Sequence, residues 1–506
     1  MLLLRNLAGC VLSAFLLIFS YPQIECWQVA WVALVPWLFV LSGKSYRSAF
    51  GCAFLFGFLF FFGVIGWLIF VTWPGAVLLS SYLALYIGFF ALGFVYFQKL
   101  AVIPRVFVLS SLWAVLEFFR SILFTGFGWG TLGHSQYKNI FLIQIADITG
   151  VYGISFLVIL VNLVVFETFR AVFCKKTQVF AELRRLQGIV LIILVLCFAY
   201  GIWVFKTIQF PSTIKVSVIQ PNIPQNIKWN ETYMPSIVKQ TLDLTDKVTN
   251  QHPDIILWPE TSLPGILSEQ PAYLEQIQLK AMDLKTPIVM GAIIQEKDHY
   301  YNSAVYIGSN GTMQGSYKKI HLVPFGEFLP FRPILGWLNR YIGLDDFTSG
   351  REYTLFPVGN TSHKFGVLIC FEDTLSDLWR DFTKAGAEVF MNMTNDAWFM
   401  DTKAPFMHLQ SAVIECVANK RSLVRSANTG VSGFIDPLGR IISLAQDSQK
   451  KKTFVAVVAS AQVPLNNQMT FYTKYADIFT YLCFVCILWG IWILRVPVQK
   501  TGRKDA

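Results

Sequence analysis

Three side chains in this sequence have the types that acyl transfer through a thiol requires, and two of them stand where an apolar run stops. Cys370 closes Phe365-Gly-Val-Leu-Ile-Cys370 and is followed at once by Phe371-Glu372-Asp373. A lone Cys on an apolar strand is ordinarily an inert small hydrophobe; here acidic residues follow where a core would continue. Cys416 is the contrast, set in the helical pattern Ala412-Val-Ile-Glu-Cys-Val-Ala418 and expected to be packing. Glu260 ends the strand-like Asp254-Ile-Ile-Leu-Trp-Pro-Glu260. The ordinary reading is a solvated loop carboxylate; the functional one is a general base within hydrogen-bond reach of the thiol. Lys319 lies in Tyr317-Lys-Lys-Ile-His-Leu322 beside Lys318. An amine next to a thiol favours thiolate and stabilises the oxyanion of a tetrahedral intermediate. Pattern alone does not choose between the two lysines.

These residues must be positioned by elements of two kinds. The chain is 54% apolar and 14% charged over 506 residues, whereas globular chains run about 45–50% apolar and ~25% charged. An integral membrane protein is expected. Apolar stretches long enough to cross a bilayer lie near 6–22, 27–43, 49–72, 75–98, 104–124, 148–172, 187–206 and 472–495. Arg120 falls inside the fifth and should face the bundle interior or an interface. The formal charge of +10 belongs to loops between spans, not to a nucleic-acid-binding block. Lys44 and Arg47, Lys99 and Arg105, Lys175, Lys176, Arg184 and Arg185, and the tail Arg495, Lys500, Arg503 and Lys504 mark the cytoplasmic side. Both termini are then cytoplasmic, and residues 209–468 lie outside, which in a bacterium with two membranes is the periplasm. The expected organisation is a membrane module over 1–208, an outer domain over 209–468, and an eighth span with a basic tail over 469–506.

The outer domain reads as α/β. Strand-like runs occur at 214–220, 254–259, 287–294, 303–308, 365–370, 388–393, 431–435 and 453–459, with helical patterns at 230–250, 269–284 and 404–420. Nine scattered Cys give no disulfide framework, and Cys483 and Cys486 sit in an apolar span as helix-face residues. The six His are isolated from one another, so no metal is expected, and no organic cofactor is indicated. Leu7-Ala-Gly-Cys10 looks like a lipoprotein processing box, but the apolar stretch follows it, so an uncleaved first span is expected.

Together the three residues resemble the nitrilase superfamily, whose members use a Glu-Lys-Cys triad on an α-β-β-α sandwich. More narrowly, nearly the whole chain resembles the apolipoprotein N-acyltransferase family. The matching pieces are Gln220-Pro-Asn-Ile-Pro-Gln225 with Lys228-Trp229, Trp258-Pro-Glu260-Thr, and Tyr317-Lys-Lys-Ile-His-Leu-Val-Pro-Phe-Gly-Glu327. Cys370-Phe-Glu372, Asn392-Met-Thr-Asn-Asp-Ala-Trp-Phe399 and Arg425-Ser-Ala-Asn-Thr-Gly430 continue them. The implied fold is an α-helical membrane bundle of eight transmembrane helices with an inserted α/β nitrilase-like α-β-β-α sandwich. The family motif selects Lys319 over Lys318, adds Glu327 as support for that lysine, marks Glu372 as important, and matches Trp229 to substrate contact. Phe371 departs from the Tyr of many members; its backbone N–H remains available to an oxyanion hole.

The resemblance implies transfer of a phospholipid sn-1 acyl chain, typically from phosphatidylethanolamine, through a Cys370 thioester to the α-amine of a diacylglyceryl-cysteine apolipoprotein. It implies no metal or cofactor, a monomer, and an inner-membrane location. Two rivals share parts of the pattern: a membrane-bound nitrilase-type amidase with water as acceptor, and a transporter or sensor with a periplasmic binding domain. Few charges occur within the spans, so no ion pathway is evident. The loop 125–136 and the apolar pieces Pro324-Phe-Gly, Trp337-Leu-Asn-Arg-Tyr-Ile-Gly and Trp398-Phe399 are expected to be interfacial arms.

Overall fold

The computed structural model describes residues 2–174, 179–338, 346–359 and 361–496. Lys175, Lys176, Lys500, Arg503 and Lys504 of the expected cationic loops, and residues 339–343 of the apolar arm beginning at Trp337, lie outside the described residues. The chain forms two compact units. One comprises Met1–Ile145, Thr149–Ile202 and Asp477–Ala506; the other Ala146–Ile148 and Trp203–Ala476.

The first unit is helical. Its helices are α1 (Leu2–Ile18), α2 (Val35–Leu41), α3 (Tyr46–Ile65), α4 (Trp73–Phe97), α5 (Val102–Ile122), α6 (Ala146–Phe173), α7 (Phe180–Thr207) and, at the far end of the chain, α15 (Ile478–Arg495). Among the described residues six apolar helices are long enough to cross a membrane, from Tyr46–Phe70 to Ile478–Arg495. The spans expected near 6–22 and 27–43 form the shorter apolar helices Leu3–Ile18 and Trp27–Leu41. The second of these is interrupted: a 3₁₀ turn over Trp27–Trp31 ends before α2, which restarts with Pro36 in its first turn, where a missing N–H costs least.

Packing in this unit follows small residues and aromatics. A Cβ on Gly57 of α3 would lie 3.0 Å from Ala84 Cα of α4, so the two helices are in backbone contact there. Trp37 stacks on Phe56 with centroids 4.6 Å apart. Along α7 and α15, Leu191, Ile192, Leu196, Leu482 and Val485 are exposed, an apolar surface of a kind that water-soluble monomers rarely present. Arg120 is buried and donates to Phe127 O at 3.1 Å, Trp129 O at 2.7 Å and Thr131 Oγ1 at 2.8 Å. It therefore ties down the loop 125–136, whose second half is buried rather than open.

The second unit holds two six-stranded sheets, ordered β12-β1-β2-β3-β4-β5 and β11-β10-β9-β8-β7-β6. The strands are β1 (Thr213–Gln220), β2 (Ile255–Leu257), β3 (Ile288–Glu296), β4 (His299–Ile307), β5 (Met313–Lys318), β6 (Leu355–Pro357), β7 (Lys364–Ile369), β8 (Val389–Thr394), β9 (Ser422–Ala427), β10 (Gly433–Ile435), β11 (Ile441–Leu444) and β12 (Val457–Pro464). Helices α9 (Met234–Asp246) and α10 (Pro271–Leu284) share an apolar core with the first sheet around Val238, Ile256, Trp258, Ile277 and Ile288. On the second sheet, Trp379 of α12 (Ser376–Ala385) packs 4.4 Å from Phe390 of β8. The sheets meet through Tyr306 and Phe365, 5.8 Å apart, and through Ser426 Oγ donating to Ile219 O at 2.9 Å. Because β12 pairs antiparallel with β1, Thr213 opposite Pro464, the unit begins and ends at one place, as an inserted domain requires.

Candidate active site

Each chemical residue comes from the end of a strand. β2 runs parallel to β1 and β3, and the turn beyond it carries Glu260. That turn lies flat on β3: a Cβ on Gly291 would sit 2.3 Å from Thr261 N and 2.8 Å from Glu260 C, so a side chain there would displace the carboxylate. β5 pairs antiparallel with β4, and Lys319 continues it, its N–H donating to Asn302 O at 2.8 Å. β7 runs parallel to β8 and Cys370 follows its last residue.

Glu260, Lys319 and Cys370 converge. Lys319 is buried, with Nζ 3.8 Å from Glu260 Oε1 and 2.8 Å from Glu327 Oε2. Asn302 Nδ2 donates to Glu260 Oε1 at 2.8 Å and to Glu327 Oε1 at 2.9 Å. Glu327 is itself oriented by Val323 N at 2.8 Å. The twin is resolved in space: Lys318 points away to Glu296, 2.6 Å, and over the Tyr301 ring. Burial works against the Lys319 charge, but Glu327 and Glu260 more than reverse this and hold the amine above its ordinary value. Lys319 is thus a fixed cation, not a base. Burial and then Glu260 push the Cys370 thiol well up, while Lys319 pulls it partly back.

Glu372 joins the strand that carries Lys319 to the turn that carries Cys370. Its Oε1 accepts from Tyr317 OH at 2.8 Å, Ile320 N at 2.8 Å and His321 N at 3.0 Å, and its Oε2 from Ile369 N at 2.7 Å. Burial pushes this carboxyl up to about 7, against Lys319 and the donors. Glu372→Gln keeps the size but turns an NH₂ toward one of these donors. A loss of about 2–4 kcal/mol in stability is expected, read as a lower denaturation midpoint; an unchanged midpoint would show that the carboxylate does not brace the turn.

Lys228, which closes α8 (Gln225–Lys228), is also buried and donates to Glu260 O at 3.0 Å. Burial pulls its amine down to about 8, against Glu260 and Cys370. A lysine lowered on folding contributes stability that is full above its unfolded value of 10.5 and is lost as pH falls through about 8. Stability should rise across that window by up to about 1.4 kcal/mol per pH unit. Lys228→Met should flatten the rise, measured as denaturation midpoints at about pH 8 and about pH 10; parallel midpoints in the two proteins would show that the amine keeps its proton.

Behind Cys370 lies a polar cluster whose role motif and spacing leave unassigned: Asp373, Asn392, Asp396, His408 and Arg425, all buried. Their signal in the sequence, where there is one, is a polar residue inside an apolar run, as with Asn392 in Val389–Thr394. Burial works against the Asp396 charge, but Arg425 and His408 hold its carboxyl down at about 2. Of the other expected residues, Trp229 is half exposed just after α8, and Phe371 lies 6.2 Å from the His321 ring. Phe325, Trp337 and Trp398 are exposed, and Cys416 is core. Among the described residues no group of His, Cys, Asp and Glu is arranged to hold a metal.

Residues 13–164 match the apolipoprotein N-acyltransferase N-terminal domain and residues 215–467 the carbon-nitrogen hydrolase family. The chain is 35% identical over 502 residues to the apolipoprotein N-acyltransferase of Geobacter metallireducens, covering 95% of this chain and 93% of that one. It is 30% identical over 466 residues to that of Pasteurella multocida, covering 86% of each. Among solved structures, an amidase from Nesterenkonia sp. aligns at 13% identity and a TM-score of 0.39, over 54% of this chain and 96% of that one. A full-length relationship that spans both the helical unit and the two-sheet unit leads to one conclusion: the chain belongs to the apolipoprotein N-acyltransferase family.

Proposed function

We propose that this protein transfers a phospholipid sn-1 acyl chain to the α-amine of a diacylglyceryl-cysteine apolipoprotein, with Glu260, Lys319 and Cys370 as the catalytic triad. Glu260 takes the Cys370 proton as sulfur attacks the ester carbonyl. Lys319, with the N–H of Phe371, stabilises the oxyanion. The C–O bond breaks, Glu260 returns the proton to the leaving oxygen, and a lysophospholipid departs from the thioester. The lipoprotein amine then attacks; Glu260 accepts its proton, the C–S bond breaks, and the proton returns to sulfur. Such an amine has an ordinary pKa of about 7.7–8.0, so a useful fraction, roughly a tenth to a sixth, is already a free nucleophile near pH 7. Glu327 and Glu372 support the lysine and the nucleophile turn, and Trp229 contacts substrate.

The observation that carries this reading is the convergence of a fixed buried cation, a carboxylate and a thiol in a chain whose relatives match it end to end. The finer architecture belongs to the same proposal. Eight helices cross the inner membrane, the short first two included; both termini are cytoplasmic; residues 209–468 form the periplasmic domain as an α-β-β-α sandwich. Phosphatidylethanolamine is the donor, and the protein acts as a monomer. Both substrates are lipids, and a site held at the bilayer avoids desorbing them, which costs roughly 0.8 kcal/mol per exposed CH₂.

The test is the fate of lipid in proteoliposomes. With phosphatidylethanolamine and a diacylglyceryl-cysteine peptide, lysolipid and N-acyl peptide should appear in equal amounts. Lysolipid released with free fatty acid, whether or not peptide is present, would instead make this a hydrolase.

A further inference from the structure

Cys370 has φ +54°, a left-handed conformation that costs a side-chain-bearing residue on the order of 1–2 kcal/mol. Something must hold it there. Its carbonyl accepts two hydrogen bonds, from Asn392 Nδ2 at 3.1 Å and from His408 Nε2 at 3.1 Å. Both donors are set by one guanidinium. Arg425 Nη1 donates to Asn392 Oδ1 at 2.8 Å and lies 2.6 Å from Asp373 Oδ2. Its Nη2 lies 2.6 Å from His408 Nδ1 and 3.1 Å from Asp396 Oδ2, and its Nε donates to Val431 O at 3.1 Å. A guanidinium N–H at Nδ1 disfavours a proton there, so the neutral ring carries its proton on Nε2; the cation carries one there too. In either form the Nε2 proton faces two acceptors, Cys370 O at 3.1 Å and Asp373 Oδ1 at 2.5 Å, and the ring holds the carbonyl and the carboxylate together.

A trans peptide is planar, with its C=O and N–H on opposite sides. Fixing the carbonyl of Cys370 into the buried cluster therefore turns the N–H of Phe371 the other way. We propose that His408 is a positioning residue for acyl transfer: with Asn392, and under the control of Arg425, it clamps the Cys370 carbonyl and so aims the Phe371 N–H at the developing oxyanion. This rests on the reading of Cys370 as the acylated nucleophile. Asp373 and Asp396 complete the clamp by keeping the guanidinium and imidazole in place.

Two reactions of the same thiol separate positioning from general disruption. Acylation by phospholipid builds an oxyanion; alkylation by iodoacetamide does not. Loss of the clamp should lower the single-turnover acylation rate of His408→Leu about 10–100-fold, with KM and the alkylation rate changed by less than about threefold. His408→Gln, which keeps an N–H donor, should recover most of the lost rate. Should His408→Leu fail to fold, Asn392→Ser removes the other donor to the same carbonyl and is read by the same ratio. A ratio of acylation to alkylation equal to wild type in a folded variant overturns the proposal. So does a Gln variant as slow as the Leu variant. A wild-type protein that is alkylated at Cys370 but never acylated would instead defeat the underlying reading of the nucleophile.

Discussion

Cys370→Ala is expected to lose acyl transfer entirely, a fall on the order of 10⁴–10⁶ in kcat, and to form no acyl adduct. Wild-type protein incubated with phosphatidylethanolamine should gain one acyl chain by intact mass, removable by hydroxylamine and by a diacylglyceryl-cysteine peptide. The size of the effect follows from the site. Lys319 does not replace the sulfur, because Glu327 and Glu260 hold it as a cation, and Cys416 is fully buried in core. The fold should survive, since removing the sulfur leaves both hydrogen bonds to the residue 370 carbonyl intact. An acyl adduct persisting in the Ala variant would move the nucleophile elsewhere.

Lys319→Met should be almost as severe for activity and far worse for the fold. The ammonium sits between two carboxylates, 2.8 Å from Glu327 and 3.8 Å from Glu260, and both of these lean on the single amide of Asn302. Taking the cation away leaves like charges facing each other out of water. Breaking a buried ion pair by removing one partner costs about 3–5 kcal/mol, and losing one oxyanion donor costs about 10²–10³ in kcat. A proton drawn in to relieve the repulsion would also occupy the base. The combined expectation is a 10³–10⁵-fold fall, an order-of-magnitude figure, with a lowered denaturation midpoint. Lys318→Met is the matched control, because that amine pairs with the half-exposed Glu296 and lies over the Tyr301 ring instead of between Glu260 and Glu327; it should change activity less than about threefold, as surface pairs do. Near-normal activity in the Lys319 variant would remove the amine from the chemistry.

The sequence by itself determined what depends on short-range pattern. Hydropathy over about 20 residues marked the long helices, and apolar runs that stop at a polar residue marked β2 and β7 and thus Glu260 and Cys370. It did not separate Lys318 from Lys319 without a family motif, because adjacent residues become inequivalent only when one face of a strand is covered. Nor does an apolar count register that the helix at Trp27–Leu41 breaks and restarts before Pro36.

Four strands fall outside the strand-like runs read from the sequence, each for a reason that lies in the tertiary structure. β5 is polar and half exposed, and β11 (Ile441–Leu444) is an exposed edge. β6 has three residues and exists by pairing with β7. β9 reads Ser-Leu-Val-Arg-Ser-Ala yet is wholly buried, since Arg425 and Ser426 find partners on β8, on the nucleophile turn and on β1. The same holds for Asn302, Asn392 and His408. Burying such groups is costly unless every one is paired, and their partners lie tens to hundreds of residues away, as Ser426 does from Ile219. Local pattern carries the places where chemistry can stand; only the closing of one sheet on the other decides which polar groups turn inward to hold it.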